Sequence, residues 1–170
     1  MNQQAGLALL IAAMVAIVAS ANYLVQFPVN DWLTWGALTY PISYFVTDLT
    51  NRWYGADRAR KVVYIGFVLA VVLSMWLASP RIALASGTAF LISQLMDVAI
   101  FNRLRVRAWW RAPLVSSILG SLVDTALFFA LAFYGTSVPW VTLASGDYAV
   151  KVAIALLMLG PYRIIVTRRG

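Results

Sequence analysis

Three aspartates stand inside long apolar segments of the chain, where ionisable side chains are rare. Asp48, Asp97 and Asp124 are each flanked on both sides by aliphatic and aromatic residues. A carboxylate in such a place can accept two adjacent N–H donors, pair with a cation or exchange a proton. Because a charge in hydrocarbon costs about 2.5 kcal/mol or more, we expect all three to face a bundle interior or a wet cavity and to serve a function.

Each carboxylate belongs to a polar stripe with helical spacing. Offsets of about 4, 7, 8 and 11 residues return to the same side of a helix. The stripes consist of Tyr40, Tyr44, Thr47, Asp48 and Asn51; of Ser86, Phe90, Ser93, Gln94, Asp97 and Phe101; and of Ser117, Ser121, Asp124 and Phe128. The serines alone would indicate hydrogen bonds between helices. Together with the carboxylates, the stripes predict one central polar chamber.

The residues that the chain lacks exclude several classes of chemistry. It contains neither cysteine nor histidine, which excludes disulfides, Cys–His and Ser–His catalytic pairs and the usual zinc ligand sets. It also contains no phosphate-binding G-x-x-x-x-G-K sequence. We therefore predict a protein that is not an enzyme and uses no metal or cofactor. An intramembrane enzyme that acts through the aspartates stays an alternative.

The composition is that of an integral membrane protein, with 170 residues of which 62% are hydrophobic and 11% charged. A helix needs about 20 apolar residues to cross the hydrocarbon core. Six segments qualify or nearly qualify, at residues 5–27, 32–51, 62–79, 82–102, 113–134 and 148–166. The first lacks the basic start of a signal peptide, so we count it as a helix. We predict an all-α polytopic membrane protein with one six-helix transmembrane domain over residues 1–170.

Basic residues are divided unequally between the two ends of these helices. One end carries Arg81 and Lys151, and the other carries Arg52, Arg58, Arg60, Lys61, Arg103, Arg105, Arg107, Arg111, Arg163, Arg168 and Arg169. Cytoplasmic loops are enriched in Lys and Arg, and Trp prefers the headgroup level. The tryptophans cluster at the helix ends that the charges indicate. Both termini and both basic loops are therefore expected in the cytoplasm.

Two prolines fall inside predicted helices. Pro41 and Pro161 each remove an amide donor, so we expect helices 2 and 6 to bend or open there. The polar residues of helix 6, Lys151, Tyr162 and Arg163, are interpreted as side chains that reach towards the headgroups rather than as ligand contacts.

Small side chains recur at every fourth position of helix 1. They are Ala8, Ala12, Ala16 and Ser20, and such a ridge permits close helix approach. Internal packing or a dimer face would explain it, so a homodimer is a possible assembly.

Three segments, in chain order, read YPISYFVTDLTNRWYG, AFLISQLMDVAIFNRLR and SSILGSLVDTALFFALAFYG. Together they resemble the signature blocks of the bacterial queuosine precursor transporter family, over predicted helices 2 to 5. Many members carry Glu after the asparagine of the first block, where this chain has Arg52, so no acidic role is transferred to that position. The resemblance implies six helices, a multi-pass location in the bacterial inner membrane, and uptake of the cyano- and aminomethyl-deazaguanine bases that become the queuosine of tRNA.

The stripes contain the groups that a purine-like base would need. Aspartates 48, 97 and 124 can accept the ring N–H and exocyclic amine, and the amides of Asn51 or Gln94 can donate to the carbonyl. Aromatic rings can stack on the base. The predicted substrate-binding residues are Tyr40, Tyr44, Thr47, Asp48, Asn51, Phe90, Ser93, Gln94, Asp97, Ser121 and Asp124. The expected partners are this small molecule and the lipid bilayer, with no nucleic acid.

Other interpretations stay open at this level. The chain could be a stand-alone carrier, or the substrate-binding membrane subunit of an ATP-driven uptake complex whose ATPase is another protein. It could also be a scaffold in which the carboxylates are merely paired with Arg163 or Lys151. Proton coupling of a carrier would be one use of carboxylates within the membrane.

Overall fold

The computed structural model describes residues 3–30, 32–77 and 79–168, so Arg169 of the charge count lies outside the described residues. The chain is mainly helical, as predicted, with one short hairpin. Its elements are α1 Gln3–Leu24, β1 Pro28–Asn30, β2 Leu33–Thr34, α2 Gly36–Thr39, α3 Ile42–Tyr54, α4 Ala56–Leu77, α5 Pro80–Leu104, α6 Arg111–Phe133 and α7 Trp140–Thr167. The two strands pair antiparallel.

Among the described residues, five helices are long and apolar enough to cross a membrane, namely α1, α4, α5, α6 and α7. Several spanning helices make this a multi-pass membrane protein. The segment predicted as a second span, 32–51, differs from a single helix. Its first residues form β2 and a turn, and the remainder is divided between α2 and α3.

The break between α2 and α3 follows from Pro41, which has no amide hydrogen to donate. Beyond it, the amide of Ser43 donates to Tyr40 O at 2.9 Å and that of Tyr44 donates to Pro41 O at 3.2 Å. These are i→i−3 bonds, tighter than those of an α-helix. Tyr40 and Pro41 both keep right-handed helical dihedrals. The hydrogen-bond ladder therefore opens at Pro41 as predicted, whereas α7 is continuous through Pro161.

The helices run back and forth between two ends of the bundle. We call the end with β1, β2 and the α4–α5 and α6–α7 turns the hairpin end, and the end with the α3–α4 and α5–α6 connections the basic end. At the hairpin end, Arg81 donates to Leu131 O at 3.0 Å and to Tyr134 O at 2.6 Å. These bonds satisfy carbonyls at the end of α6, which have no partners within the helix. At the basic end, Gly55 has φ 84° and permits the sharp turn into α4.

Burial in the outer helices corrects one interpretation. In α1 the buried residues include Leu10, Met14 and Val18. The ridge of small side chains lies on the other side and is exposed, at Ala8, Ala12, Ala16 and Ser20. Internal packing within this chain is therefore not its role, because the larger apolar residues of α1 occupy the core.

Helix α7 buries little except polar groups. Its buried residues are Asp147, Lys151 and Tyr162. This helix thus directs two oppositely charged side chains, Asp147 and Lys151, inward, while its third charged residue, Arg163, is exposed. This inward pair contributes directly to the site.

Candidate functional site

All eleven predicted site residues are buried. They come from the junction of α2 and α3, from α3 itself, from α5 and from α6, and they are Tyr40, Tyr44, Thr47, Asp48, Asn51, Phe90, Ser93, Gln94, Asp97, Ser121 and Asp124. The helical spacing thus placed the polar stripes on the correct faces. The structure arranges these residues in two groups rather than in one chamber.

The first group is centred on a buried lysine. Lys151 Nζ lies 2.7 Å from Asp124 Oδ2 and 2.6 Å from Asp147 Oδ2. Tyr40 Oη donates to Asp124 Oδ1 at 2.8 Å, and Thr125 Oγ1 donates to Asp147 Oδ2 at 2.7 Å. The ammonium also lies 5.0 Å from the centre of the Tyr40 ring. We call these five residues the Lys151 cluster.

The cluster overturns the interpretation of helix 6. Lys151 is 3% exposed and Tyr162 is 2% exposed, so neither reaches towards the headgroups. A buried ammonium is tolerated because its partners compensate for lost hydration. Arg163 is exposed and lies over the ring of Trp109. The scaffold interpretation expected an aspartate paired with Lys151, and Asp124 forms such an ion pair. Asp147 is a second partner of Lys151, which the sequence analysis did not identify. The i, i+4 spacing of Asp147 and Lys151 within an apolar segment is the signal that would have found it.

The second group is a pair of carboxyl groups without a cation. Asp48 accepts hydrogen bonds from Ser116 Oγ and Ser117 Oγ, each at 3.4 Å. The carboxyl of Asp97 is its close electrostatic neighbour. Within the described ranges, neither aspartate has a Lys or Arg nitrogen at ion-pair distance. We call Asp48 and Asp97 the carboxyl pair.

Several polar atoms of the carboxyl pair and of residues near it have no hydrogen-bond partner among the described residues. They are both carboxyl oxygens of Asp97, Oδ1 of Asn51 and Oη of Tyr44, and all are buried. The ring of Tyr44 and Cβ of Asp97 meet at Gly120, where an added Cβ would lie 2.8 Å from Tyr44 Cε1 and 3.5 Å from Asp97 Cβ. An unsatisfied buried polar group costs about 1–3 kcal/mol. Such a concentration of unpaired polar atoms is expected where a ligand supplies the missing bonds.

Both the oxygen and the nitrogen of the Gln94 amide form a hydrogen bond in this conformation. Thr47 Oγ1 donates to its Oε1 at 2.6 Å, and its Nε2 donates to Ser43 Oγ at 2.9 Å. Asn51 Nδ2 donates to Val98 O at 3.0 Å, which leaves only its oxygen unpaired. These bonds join α3 to α5, so the amide of Gln94 holds the two helices together here.

The remaining predicted residues either contact the Lys151 cluster or line a cavity towards the basic end of the bundle. Ser93 Oγ lies 3.3 Å from Asp124 Oδ1. Phe90 packs edge-on against Tyr40, with ring centres 6.4 Å apart. Ser121 lines a cavity together with Asp48.

Two small cavities lie on either side of Lys151. The upper cavity, towards the hairpin end, has a volume of about 30 Å³ and is lined by Asn22, Tyr40, Ser86, Asp124, Asp147 and Lys151 with apolar neighbours. The lower cavity, towards the basic end, has about 20 Å³ and is lined by Tyr44, Asp48, Ser117, Ser121, Lys151 and Tyr162 with apolar neighbours. Since a water molecule requires roughly 10–15 Å³ on this measure, the upper cavity has room for about two or three waters and the lower one for about one or two. The predicted single chamber is therefore divided, and in this conformation neither part has room for a purine-like base.

Comparison with known proteins gives consistent results. The profile of the family described as "Putative vitamin uptake transporter" matches residues 34–79 and 74–165. The chain is 34% identical to the "Queuosine precursor transporter" of Escherichia coli, over 85% of this chain and 79% of that one. It is 34% identical, with the same coverage, to the "Probable queuosine precursor transporter" of Haemophilus influenzae. A protein of that same description from Bacillus subtilis is 30% identical, over 76% of this chain and 69% of that one. No solved structure matches.

Proposed function

Because this chain belongs to the vitamin uptake transporter family and matches queuosine precursor transporters over most of its length, we propose that it imports queuosine precursors. Its relatives are transporters and not enzymes. The proposed substrates are the cyano- and aminomethyl-deazaguanine bases, carried across the bacterial inner membrane for tRNA modification. In this proposal α2 and α3 together form a sixth span, and the basic end with both termini faces the cytoplasm.

The observation that carries the substrate class is the set of unpaired acceptors around the carboxyl pair. Asp97, Asn51 and Tyr44 offer oxygens that accept no hydrogen bond within the described part of the chain. A deazaguanine presents ring N–H groups and an exocyclic amine, which are donors on one edge of a flat ring. A carboxylate can accept two such donors at once. A ligand rich in donors therefore complements this surface.

The base would be held by α3, α5 and α6 beside the lower cavity. Tyr44 and Asp48 line that cavity, and Ser117 and Ser121 provide hydroxyls from α6. The aminomethyl substrate is cationic and the cyano one neutral. A pair of adjacent carboxyl groups can accommodate either, since it can hold or release a proton.

Substrate entry requires the lower cavity to widen. The break at Pro41 provides a place where α3 can move relative to α2, because the ladder of hydrogen bonds is already interrupted there. Movement at such a hinge, with the site exposed in turn to each side, is the alternating access expected of a carrier.

Binding to the purified protein tests the proposal. Asp97→Asn and Asp48→Asn should each weaken binding of a radiolabelled deazaguanine base at least tenfold, because each replaces one carboxylate oxygen with an amide donor, so the side chain no longer accepts two adjacent N–H groups. Asp57→Asn is the matched control, since Asp57 is exposed on α4 and pairs with Arg60 at its surface. Wild-type affinity in both site variants, with the protein folded, would contradict the proposed site.

A second candidate is a substrate-binding subunit of an ATP-driven complex. The exposed ridge of Ala8, Ala12, Ala16 and Ser20 favours it, because such a surface permits close approach of another membrane helix. Purified protein alone in ATP-free liposomes should accumulate or equilibrate the base if it is a stand-alone carrier. Uptake that requires a second protein and ATP would favour the subunit instead.

A further inference from the structure

We propose that the Lys151 cluster is the gate between the two cavities, with Lys151 as the moving part. The inference rests on the proposed transport function and adds to it the residue that separates one side of the pathway from the other. Lys151 lines both the upper and the lower cavity. Displacing this one side chain would join them.

The neighbouring residues place the barrier at one level of the bundle. Tyr40 lines the upper cavity and Tyr44, one helical turn further, lines the lower cavity. Asp124 contacts both the Tyr40 hydroxyl and the Lys151 ammonium. The ion pairs thus close the space between the Pro41 break, α6 and α7, which is where a path between the cavities must pass.

The Lys151 ammonium has two carboxylate partners, so it can break its contact with one of them while it keeps the other. One ammonium faces two carboxylates, at 2.7 Å and 2.6 Å, and the hydroxyls of Tyr40, Thr125 and Ser93 complete their surroundings. If the ammonium of Lys151 moves away from one carboxylate, it can stay paired with the other. The cost of burying its charge is therefore still partly offset during the movement. Its flexible four-carbon stem permits the movement.

Lys151 lies on α7, a helix with few buried side chains, so a movement of this helix would move Lys151 as well. The buried residues of α7 are Asp147, Lys151 and Tyr162, so its polar attachment to the bundle is concentrated at the cluster. A shift of α7 therefore acts directly on the ion pairs.

Cysteine accessibility tests the gate without using transport as the readout. The chain contains no cysteine, so single cysteines can be introduced without other changes. Val25 lines the upper cavity and Ala155 the lower one. Right-side-out vesicles carrying Val25→Cys or Ala155→Cys are treated from the hairpin side with a charged, membrane-impermeant methanethiosulfonate. We expect Val25→Cys to react and Ala155→Cys to be protected.

The gate is then opened by substitution. Lys151→Met should raise the labelling rate of Ala155→Cys from the hairpin side at least tenfold, whereas Lys151→Arg should leave it protected. Lys61→Met is the matched control, because Lys61 is exposed on α4, and it should change nothing. A monodisperse size-exclusion profile and a wild-type-like unfolding temperature of the solubilised variant check that the protein is folded. Asp147→Asn, which leaves the Asp124 pair in place, is the second variant if Lys151→Met does not fold, and should give a smaller increase.

Protection of Ala155→Cys that persists in folded Lys151→Met or Asp147→Asn protein would overturn the gate. So would an equal increase in Lys61→Met. Loss of substrate binding has no bearing on these labelling rates, so failure of the proposed substrate and failure of the gate can be told apart.

Discussion

The hydroxyl of Tyr40 donates a 2.8 Å hydrogen bond to Oδ1 of Asp124, which ties the residue before the Pro41 break to the middle of α6. This bond holds the start of α3 at the place where its own backbone ladder is open. It also orients the carboxylate whose second oxygen accepts from Lys151.

Tyr40→Phe should therefore weaken both stability and transport. The ring stays but the donor is lost, and a hydrogen bond to a charged group contributes about 1.5–3 kcal/mol. We expect a lower unfolding temperature in detergent and slower uptake of the base. Tyr134→Phe removes a hydroxyl from an exposed ring and should leave both unchanged. A Tyr40→Phe protein with wild-type unfolding temperature would show that this bond contributes nothing.

The ion pair of Lys151 and Asp124 predicts strong coupling between two substitutions. Lys151→Met leaves two buried carboxylates without their cation and should cost about 3–5 kcal/mol of stability. Adding Asp124→Asn removes one of those charges and should recover part of the loss. Thermal or denaturant unfolding of wild type, both single variants and the double variant measures the coupling. Additive effects within about 0.5 kcal/mol would contradict a direct interaction.

Gln94→Leu should affect the protein mainly through stability. In the structure its amide bonds to Thr47 and Ser43, so the substitution leaves the Ser43 hydroxyl without its donor and the Thr47 hydroxyl with only the carbonyl of Ser43 as acceptor. The expected cost is about 1–3 kcal/mol, seen as a lower unfolding temperature. Substrate affinity of the folded fraction should change less than it does in Asp97→Asn. A large loss of affinity with unchanged stability would return Gln94 to the set of direct substrate contacts.

The buried stripes were predictable from sequence because helical periodicity and the cost of a charge in hydrocarbon act locally. Asp48, Asp97 and Asp124 face inward for that reason. How they are grouped could not be predicted, because it depends on which residue of another helix each one meets. Asp124 meets Lys151 of α7, and Asp48 meets the serines of α6.

The error at Lys151 has a specific cause in the predicted bounds of helix 6. The predicted segment begins at residue 148, which puts Lys151 near the headgroup level, whereas α7 begins at Trp140. Eleven residues of helix correspond to about 16 Å of depth at 1.5 Å per residue. Residues 140–147, which the prediction left outside the span, are helical, and Asp147 among them is buried against Lys151 and Thr125.

Gly120 offers a test of the proposed substrate site that does not alter any polar group. A methyl group there would lie 2.8 Å from Tyr44 Cε1 and 3.5 Å from Asp97 Cβ, so the Tyr44 ring must shift. Gly120→Ala should therefore lower substrate affinity about tenfold or more, equal to about 1.4 kcal/mol, in the purified protein. Gly160→Ala is the control, because nothing apart from its chain neighbours lies within 4 Å of its added Cβ. Since Pro161 disfavours a Cβ on the preceding helical residue, the unfolding temperatures of both variants are measured as well. If the two variants bind the base equally well, the surface formed by Tyr44 and Asp97 is not where the substrate sits.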